Sequence, residues 1–323
     1  MDPARTPVTI AGGTGTEGTA PARSDASLMR VRTAVRAFLR TAREAGLLGS
    51  NELAVAVSGG ADSLALAAAA QHAGERAGLR VRGLIVDHRL QPDSAAVAER
   101  AARQLRELGI HDVRVLPVDV SGPGGVEAAA RRARYAALRA ASPAPDALVL
   151  LGHTRDDQAE TVLLGLGRGS GPRSIAGMRP IDPPWGRPLL DVTRDTTMAA
   201  CAALGLRPWS DPHNGDPAFT RTRLRHEVLP LLEEVLHGGV AGALARTAAQ
   251  LREDTDALDA LADALGARAA TDPRPGAPIL VDALAGEPAT LRRRVLRTWL
   301  SAGGVPELTD AHLRSVDALI GHW

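Results

Sequence analysis

Apolar positions along the chain follow two rhythms. Short apolar-rich stretches at Ala54–Val57, Val81–Val86, Val113–Val120 and Ala147–Gly152 read as strands, and the first, an unbroken run stopped at Ser58 and two glycines, reads as a buried parallel strand. Between them, apolar residues recur every three or four positions. Val31, Val35, Phe38 and Leu39 do so within Leu28–Ala45, and Leu64–Ala70, Pro92–Leu108 and Gly125–Ala141 are equally helical. Gly46 suits the C-terminal cap of the first helix. Strands alternating with helices at this spacing predict an α/β domain whose parallel sheet is covered on both faces. Ligands on such sheets bind beyond the carboxyl ends of the strands, so Ser58, Asp87 and His153 are expected on one rim.

Past Pro180 the rhythm changes. A Pro-rich stretch, Pro180–Pro188, precedes a helix at Asp195–Leu204 and a polar loop at Ser210–Pro217. From Arg223 helical spacing runs almost to the end, broken at Pro273–Pro278, with final helices at Ala289–Leu300 and Ala311–Ile320. The expected organisation is therefore an α/β domain over residues 28–215 and a mainly helical second domain over 216–323. Met1–Ser27, rich in Gly, Thr, Pro and Ala without an apolar stretch, is expected to be a disordered tail and no signal peptide.

Composition narrows the chemistry. All 38 cationic side chains are arginines, set against 37 acids, so net charge says nothing about partners until the charges are placed. The lone Cys201 points to a reducing compartment and excludes a disulfide framework, a four-cysteine zinc site and a cysteine-built iron–sulfur cluster. No apolar run reaches the length of a membrane span, which leads us to expect a soluble, cytoplasmic protein. With only 2% aromatic residues, any nucleic-acid contact must rest on arginine and phosphate more than on stacked bases.

The strongest chemical signal is Ala54-Val55-Ala56-Val57-Ser58-Gly59-Gly60-Ala61-Asp62-Ser63-Leu64, a strand, a tight turn and a helix start. A helix N-terminus leaves its first amides without partners and carries the positive end of the dipole, and glycines admit an anion closely. Ser58, Asp62 and Ser63 add hydroxyls and a carboxylate where a phosphate and a divalent cation would meet. A Walker-type loop needs a lysine, which the chain lacks. An esterase elbow would need a glycine at Ala56, which leaves Ser58 a weak candidate nucleophile.

Gly152-His153-Thr154-Arg155-Asp156-Asp157-Gln158-Ala159-Glu160-Thr161 is the second signal. On a helix Asp157 and Glu160 lie three apart and Asp156 and Glu160 four apart, so the acids share a face. Beside a phosphate loop a metal ion or a substrate amine suits that face; the plainer alternative is a solvated acidic surface with Asp156 as helix cap. Arg131 and Arg134, one turn apart, could reach phosphate on the same rim. Arg168-Gly169-Ser170-Gly171-Pro172-Arg173 is a flexible basic loop, and Arg221-Thr222-Arg223-Leu224-Arg225-His226, with Asp211 and Asn214 just upstream, suits a polyanion or else is a charged interdomain helix. Asp87-His88 is a further candidate for a nucleotide edge.

Together these strings, from Leu28 to about Leu232, resemble the N-type ATP pyrophosphatase (PP-loop) superfamily, and within it the tRNA(Ile)-lysidine synthetase family. The resemblance implies an adenine nucleotide alpha hydrolase-like, Rossmann-like domain followed by a helical one that contacts tRNA. It implies ATP, held by Ser58, Gly59, Gly60, Ala61, Asp62, Ser63, Asp87 and His88, and Mg2+ on Asp62. Catalysis would fall to Asp62, Arg131, His153, Asp157 and Glu160, with Asp157 and Glu160 gripping free L-lysine and His153 titrating near neutrality. The implied partner is tRNA(Ile) with anticodon CAU, and the implied reaction places lysine on carbon-2 of the wobble cytidine through an adenylated intermediate. Oligomeric state stays open, a homodimer included. Thr154, His213, Thr222 and Ser174 depart from residues usual in the family. Such enzymes often continue into a further small domain beyond the point where this chain stops, at Trp323, which leads us to expect weaker tRNA binding. A thiolase of the same superfamily would need paired cysteines or an iron–sulfur cluster, which Cys201 alone cannot supply. A nucleotide sensor without turnover, or a serine hydrolase using Ser58, are the rivals from other classes.

Overall fold

The computed structural model describes residues 20–123, 125–169, 171–210 and 219–320. Its elements follow the alternating rhythm: α1 (Ala20–Glu44), β1 (Glu52–Ala56), α2 (Ala61–Ala77), β2 (Arg80–Asp87), α3 (Ser94–Glu107), β3 (Asp112–Pro117), α4 (Gly125–Ala140), β4 (Leu148–Leu150) and α5 (Arg155–Arg168). There follow α6 (Pro172–Ile175), β5 (Ile181–Asp182), β6 (Trp185–Gly186) and α7 (Arg194–Ala203). The strands form one sheet in the order β3-β2-β1-β4-β6-β5, parallel except for β5 against β6.

The chain makes two compact units, Met1–Asp157 with Pro180–Thr222, and Gln158–Arg179 with Arg223–Trp323. In the first, the central strands β1 and β4 are buried on both faces, which is why they read as apolar runs. Leu53 and Val55 of β1 and Leu148 and Leu150 of β4 join the larger core with α1, α2 and α7. Their neighbours Ala54 and Val149 point the other way, into a smaller core with Leu138 of α4 and Trp185. Helix α2 is buried from Ser63 to Ala70, so its run of alanines lets it pack closely on every side. Gly78, at φ +69°, ends it in a left-handed cap. Edge strand β3 is largely exposed and carries Asp112 and Arg114, charges that discourage further strand pairing.

Helix α8 (Thr220–Arg223) ends the first unit at Thr222, and the second resumes at Arg223 with a π-helical turn at Leu224–Val228 and α9 (Leu229–Val235). Helices α10 (Val240–Ala269), α11 (Asp282–Ala285), α12 (Ala289–Ala302) and α13 (Asp310–Ile320) complete it. Ala262, Leu265, Ala269, Leu284 and Val295 are its core.

Three expectations are revised. Residues Ala20–Ser27 are not tail but the opening turns of α1; the rest of the expected tail lies outside the described residues. The Pro-rich stretch contains β5 and β6, strands of two residues that leave no period in the sequence; β6 forms on β4, and β5 on β6. The units divide after Thr222, not before Asp216, and Gln158–Arg179 belongs with the helical one. Among the described residues no single helix is long and apolar enough to cross a membrane.

Candidate active site

Strand β1 delivers Ser58 to the carboxyl edge of the sheet, and the turn Ser58-Gly59-Gly60 passes directly into α2. Ser63, one turn into the helix, holds that turn closed. Its hydroxyl accepts from the Ser58 amide at 3.1 Å, donates to the Gly60 carbonyl at 2.9 Å and lies 3.3 Å from the Ser58 hydroxyl. Gly59 has φ +85°, a conformation that suits glycine, and its carbonyl accepts from the Trp209 amide at 2.9 Å. Gly60 is the N-cap of α2 and makes no side-chain cap hydrogen bond, which leaves the first amides of the helix to an incoming anion. A cradle of helix amides and hydroxyls fits a phosphate group.

Gly152, following β4, packs against the same turn: a Cβ there would stand 3.0 Å from the Ser63 amide nitrogen and 3.1 Å from the Asp62 carbonyl oxygen. The parallel register thereby brings His153 and the first residues of α5, as far as Asp157, to the phosphate loop. Asp62 accepts the Thr197 hydroxyl and the Arg194 Nε, the latter at 3.4 Å. Arg194 also donates through Nη2 to Asp157 Oδ1 at 2.8 Å, and its backbone amide donates to Asp156 at 2.9 Å. The other Asp157 oxygen accepts from the Thr154 amide at 2.8 Å and the Thr154 hydroxyl at 3.0 Å. At the start of α5 the Asp157 carboxylate thus satisfies the Thr154 amide, one half of a capping box, and Asp156 instead serves α7. Burial raises the Asp62 pKa and Asp157 raises it further, against the lowering hydrogen bond from Thr197 and charge of Arg194.

A basic rim lies on the other side of the strand ends. Arg131 and Arg134 of α4 both stack on Tyr135. Burial, with Arg131 and Arg221 nearby, disfavours the charge of Arg134. His88 follows β2, and burial with the charge of Arg134 lowers its pKa against the opposing pull of Asp87. Asp87 itself is buried and accepts from the Arg89 amide at 3.0 Å. His153 departs from expectation: burial, reinforced by Arg187, Arg134 and Arg131 and opposed by Asp157, pushes its pKa down to about 4. It is a neutral imidazole at physiological pH, and its Nδ1 is buried without a hydrogen-bond partner.

In the second unit the buried Glu160 receives Arg225 in a two-pronged pair, Nε to Oε1 at 2.7 Å and Nη2 to Oε2 at 3.1 Å. Next to it Gln158 clasps the returning chain, donating to the Met178 carbonyl at 2.9 Å and accepting its amide at 2.7 Å. Asp157 closes the first unit and Glu160 belongs to the second, and each acid already faces an arginine. Arg194 and Thr197 escaped the sequence reading. Thr193, the N-cap that accepts from the Thr196 amide, was the one signal that marked where their helix begins. Ser170 and the stretch Asp211–Asn214 lie outside the described residues.

Among the described residues no three His, Cys, Asp or Glu side chains are grouped to hold a metal ion. Magnesium in nucleotide enzymes needs only one or two carboxylates beside substrate phosphates, and Asp62, with 23% of its side chain exposed, fits that narrower demand.

A PP-loop domain model matches residues 30–232, and a TilS substrate binding domain model matches residues 280–323. A protein of Mycolicibacterium paratuberculosis named tRNA(Ile)-lysidine synthase is 59% identical over 92% of this chain and 88% of its own. One of the same name from Rhodococcus erythropolis is 57% identical over 92% and 87%. Among solved structures, the U34-tRNA thiolase NcsA of Methanococcus maripaludis, described with its [4Fe-4S] cluster, superposes with a TM-score of 0.56 at 18% identity. The match covers 71% of this chain and 80% of that one, a likeness of fold.

Proposed function

The chain belongs to the tRNA(Ile)-lysidine synthase family of PP-loop ATP-binding enzymes, and on that premise we propose that it ligates free lysine to carbon-2 of the wobble cytidine of a CAU-anticodon tRNA(Ile). The observation that carries the reading is the uncapped start of α2, a cradle of amides and hydroxyls at one edge of the sheet with arginines and a neutral histidine around it.

The cytidine carbonyl oxygen attacks the α-phosphorus of ATP and pyrophosphate leaves. The amine of lysine then attacks carbon-2 and AMP leaves. In the first step the loop amides with Ser58 and Ser63 hold the departing pyrophosphate, and Arg131 offsets the negative charge that develops. Asp62 would hold a magnesium ion, which would supply charge neutralisation to the phosphates. In the second step the attacking amine must shed a proton. His153, kept neutral by burial, is assigned to accept a hydrogen bond from that amine and orient it, since a pKa of about 4 makes its imidazole too weak a base to keep the proton. Asp157 and Glu160, the acids proposed to receive the ammonium group, would each have to trade an arginine for it. We infer a cytoplasmic location from the proposed substrates.

The test is direct. Protein, ATP, Mg2+, labelled lysine and a CAU isoleucine transcript are combined, and label is expected in the RNA together with AMP and pyrophosphate. ATP binding with no label entering the RNA would leave a nucleotide sensor and overturn the proposal.

A further inference from the structure

Tyr135 is the single tyrosine of the chain, and two arginines of its own helix lie on it. The guanidinium carbon of Arg131 is 4.8 Å from the ring centroid and that of Arg134 is 5.5 Å away. Arg131 Nη2 also donates to the phenol oxygen at 3.3 Å. The ring is anchored from below: it meets Trp185 edge-on, centroids 4.7 Å apart and planes at 81°. Trp185 is buried and its place is set by the sheet, because β6 pairs it with Val149 of β4. Arg139 covers the Trp185 ring in turn, at 5.6 Å.

Among the described residues, neither Arg131 nor Arg134 forms an ion pair with a carboxylate, in a chain that carries 37 acids. The choice of partner matters. A carboxylate would hold a guanidinium firmly but cancel its charge. An aromatic face attracts the cation through its quadrupole and contributes no net charge, so the arginine stays positive towards any anion that arrives. Two like-charged side chains one turn apart repel each other, and a neutral surface that attracts both offsets that repulsion. With Arg221 adding to the positive field around Arg134, the ensemble is short of one thing, an anion.

We propose that Tyr135 is a positioning residue that holds Arg131 and Arg134 over a neutral ring anchored on Trp185, keeping both charges available for the phosphates of the nucleotide. This rests on the reading that the rim of the first unit takes ATP.

A single tyrosine makes the test specific. Protein labelled with ring-13C tyrosine gives one tyrosine ring signal by NMR, and ATP or inorganic pyrophosphate should displace it as the guanidinium groups turn to phosphate. Arg131→Met should abolish most of that displacement. By calorimetry, Tyr135→Phe keeps the ring and should bind ATP within about twofold of wild type, whereas Tyr135→Leu should weaken binding roughly tenfold. In turnover, Tyr135→Leu should raise the KM for ATP while the KM for lysine stays put, a split that a general loss of packing would not produce. The proposal is overturned if calorimetry detects ATP binding while the tyrosine signal stands still, or if Tyr135→Leu binds ATP as wild type does. It is equally overturned if Tyr135→Phe is as damaging as Tyr135→Leu, because the hydroxyl and not the ring would then carry the effect. Failure of wild type to bind ATP at all would instead remove the nucleotide reading, and this inference with it.

Discussion

Arg194 Nη2 meets Asp157 Oδ1 at 2.8 Å while Nε of the same guanidinium reaches Asp62 at 3.4 Å, so one arginine balances acids from the first turns of two helices. Removing it leaves two partly buried carboxylates without their counter-charge. Arg194→Met should destabilise the protein by about 2–4 kcal/mol in urea unfolding, and adding Asp157→Asn should return part of the loss.

Gly59 offers a milder perturbation of the phosphate loop. At φ +85° any Cβ carries backbone strain, yet the site is not crowded, the nearest atom to such a Cβ being Ala101 Cβ at 3.6 Å. Gly59→Ala should therefore cost about 1–2 kcal/mol of stability through strain alone, and ATP affinity measured by calorimetry should fall more steeply than stability does.

His153 makes stability depend on pH. Its pKa falls from an ordinary 6.5 when unfolded to about 4 when folded, so between those values the unfolded chain binds the extra proton. Stability is full above about pH 7 and declines as pH drops through 6.5 towards 4, by up to about 3 kcal/mol. Chemical denaturation of His153→Gln across that range should show a slope shallower by this one group.

Glu160 is fully buried and Arg225 keeps 26% of its side chain exposed, so the acid is the more exacting partner. Glu160→Gln should lower stability by about 2–4 kcal/mol in thermal or urea unfolding. If the acid also serves the amine, the lysine KM should rise and ATP binding should not change. Unaltered lysine kinetics in a folded variant would restrict Glu160 to holding Arg225.

Cys201 is buried on α7 with its thiol directed at the Ala61 carbonyl, 3.3 Å away, and burial together with Asp62 pushes its pKa up to about 12. Almost no thiolate exists at pH 8. A disulfide dye reagent should leave the native protein unlabelled for hours and label it within minutes in denaturant.

Much of the fold was legible along the chain because burial leaves a period. Val31, Val35 and Leu39 mark the inner face of α1, and the unbroken run at Leu148–Leu150 marks a strand covered on both sides. The phosphate loop was legible for a related reason, since a serine and two glycines between strand and helix are a local solution to a local problem. The strands around Pro183 were not, because two residues are too few to show alternation and β6, on which β5 forms, is held by a partner more than thirty positions away.

The amino-acid order alone determined the alternating strands and helices, the amide-lined turn and the pool of arginines without a lysine. Folding decided which arginine meets which acid: Arg194 with Asp62 and Asp157, Arg225 with Glu160, and Arg131 and Arg134 with no acid but with Tyr135. Local order depends on neighbours three or four residues away, whereas pairing across 37, 65 or 132 residues depends on how the sheet and helices close. The same closure removed water from His153 and so made a neutral imidazole of a residue whose sequence position suggested one titrating near neutrality.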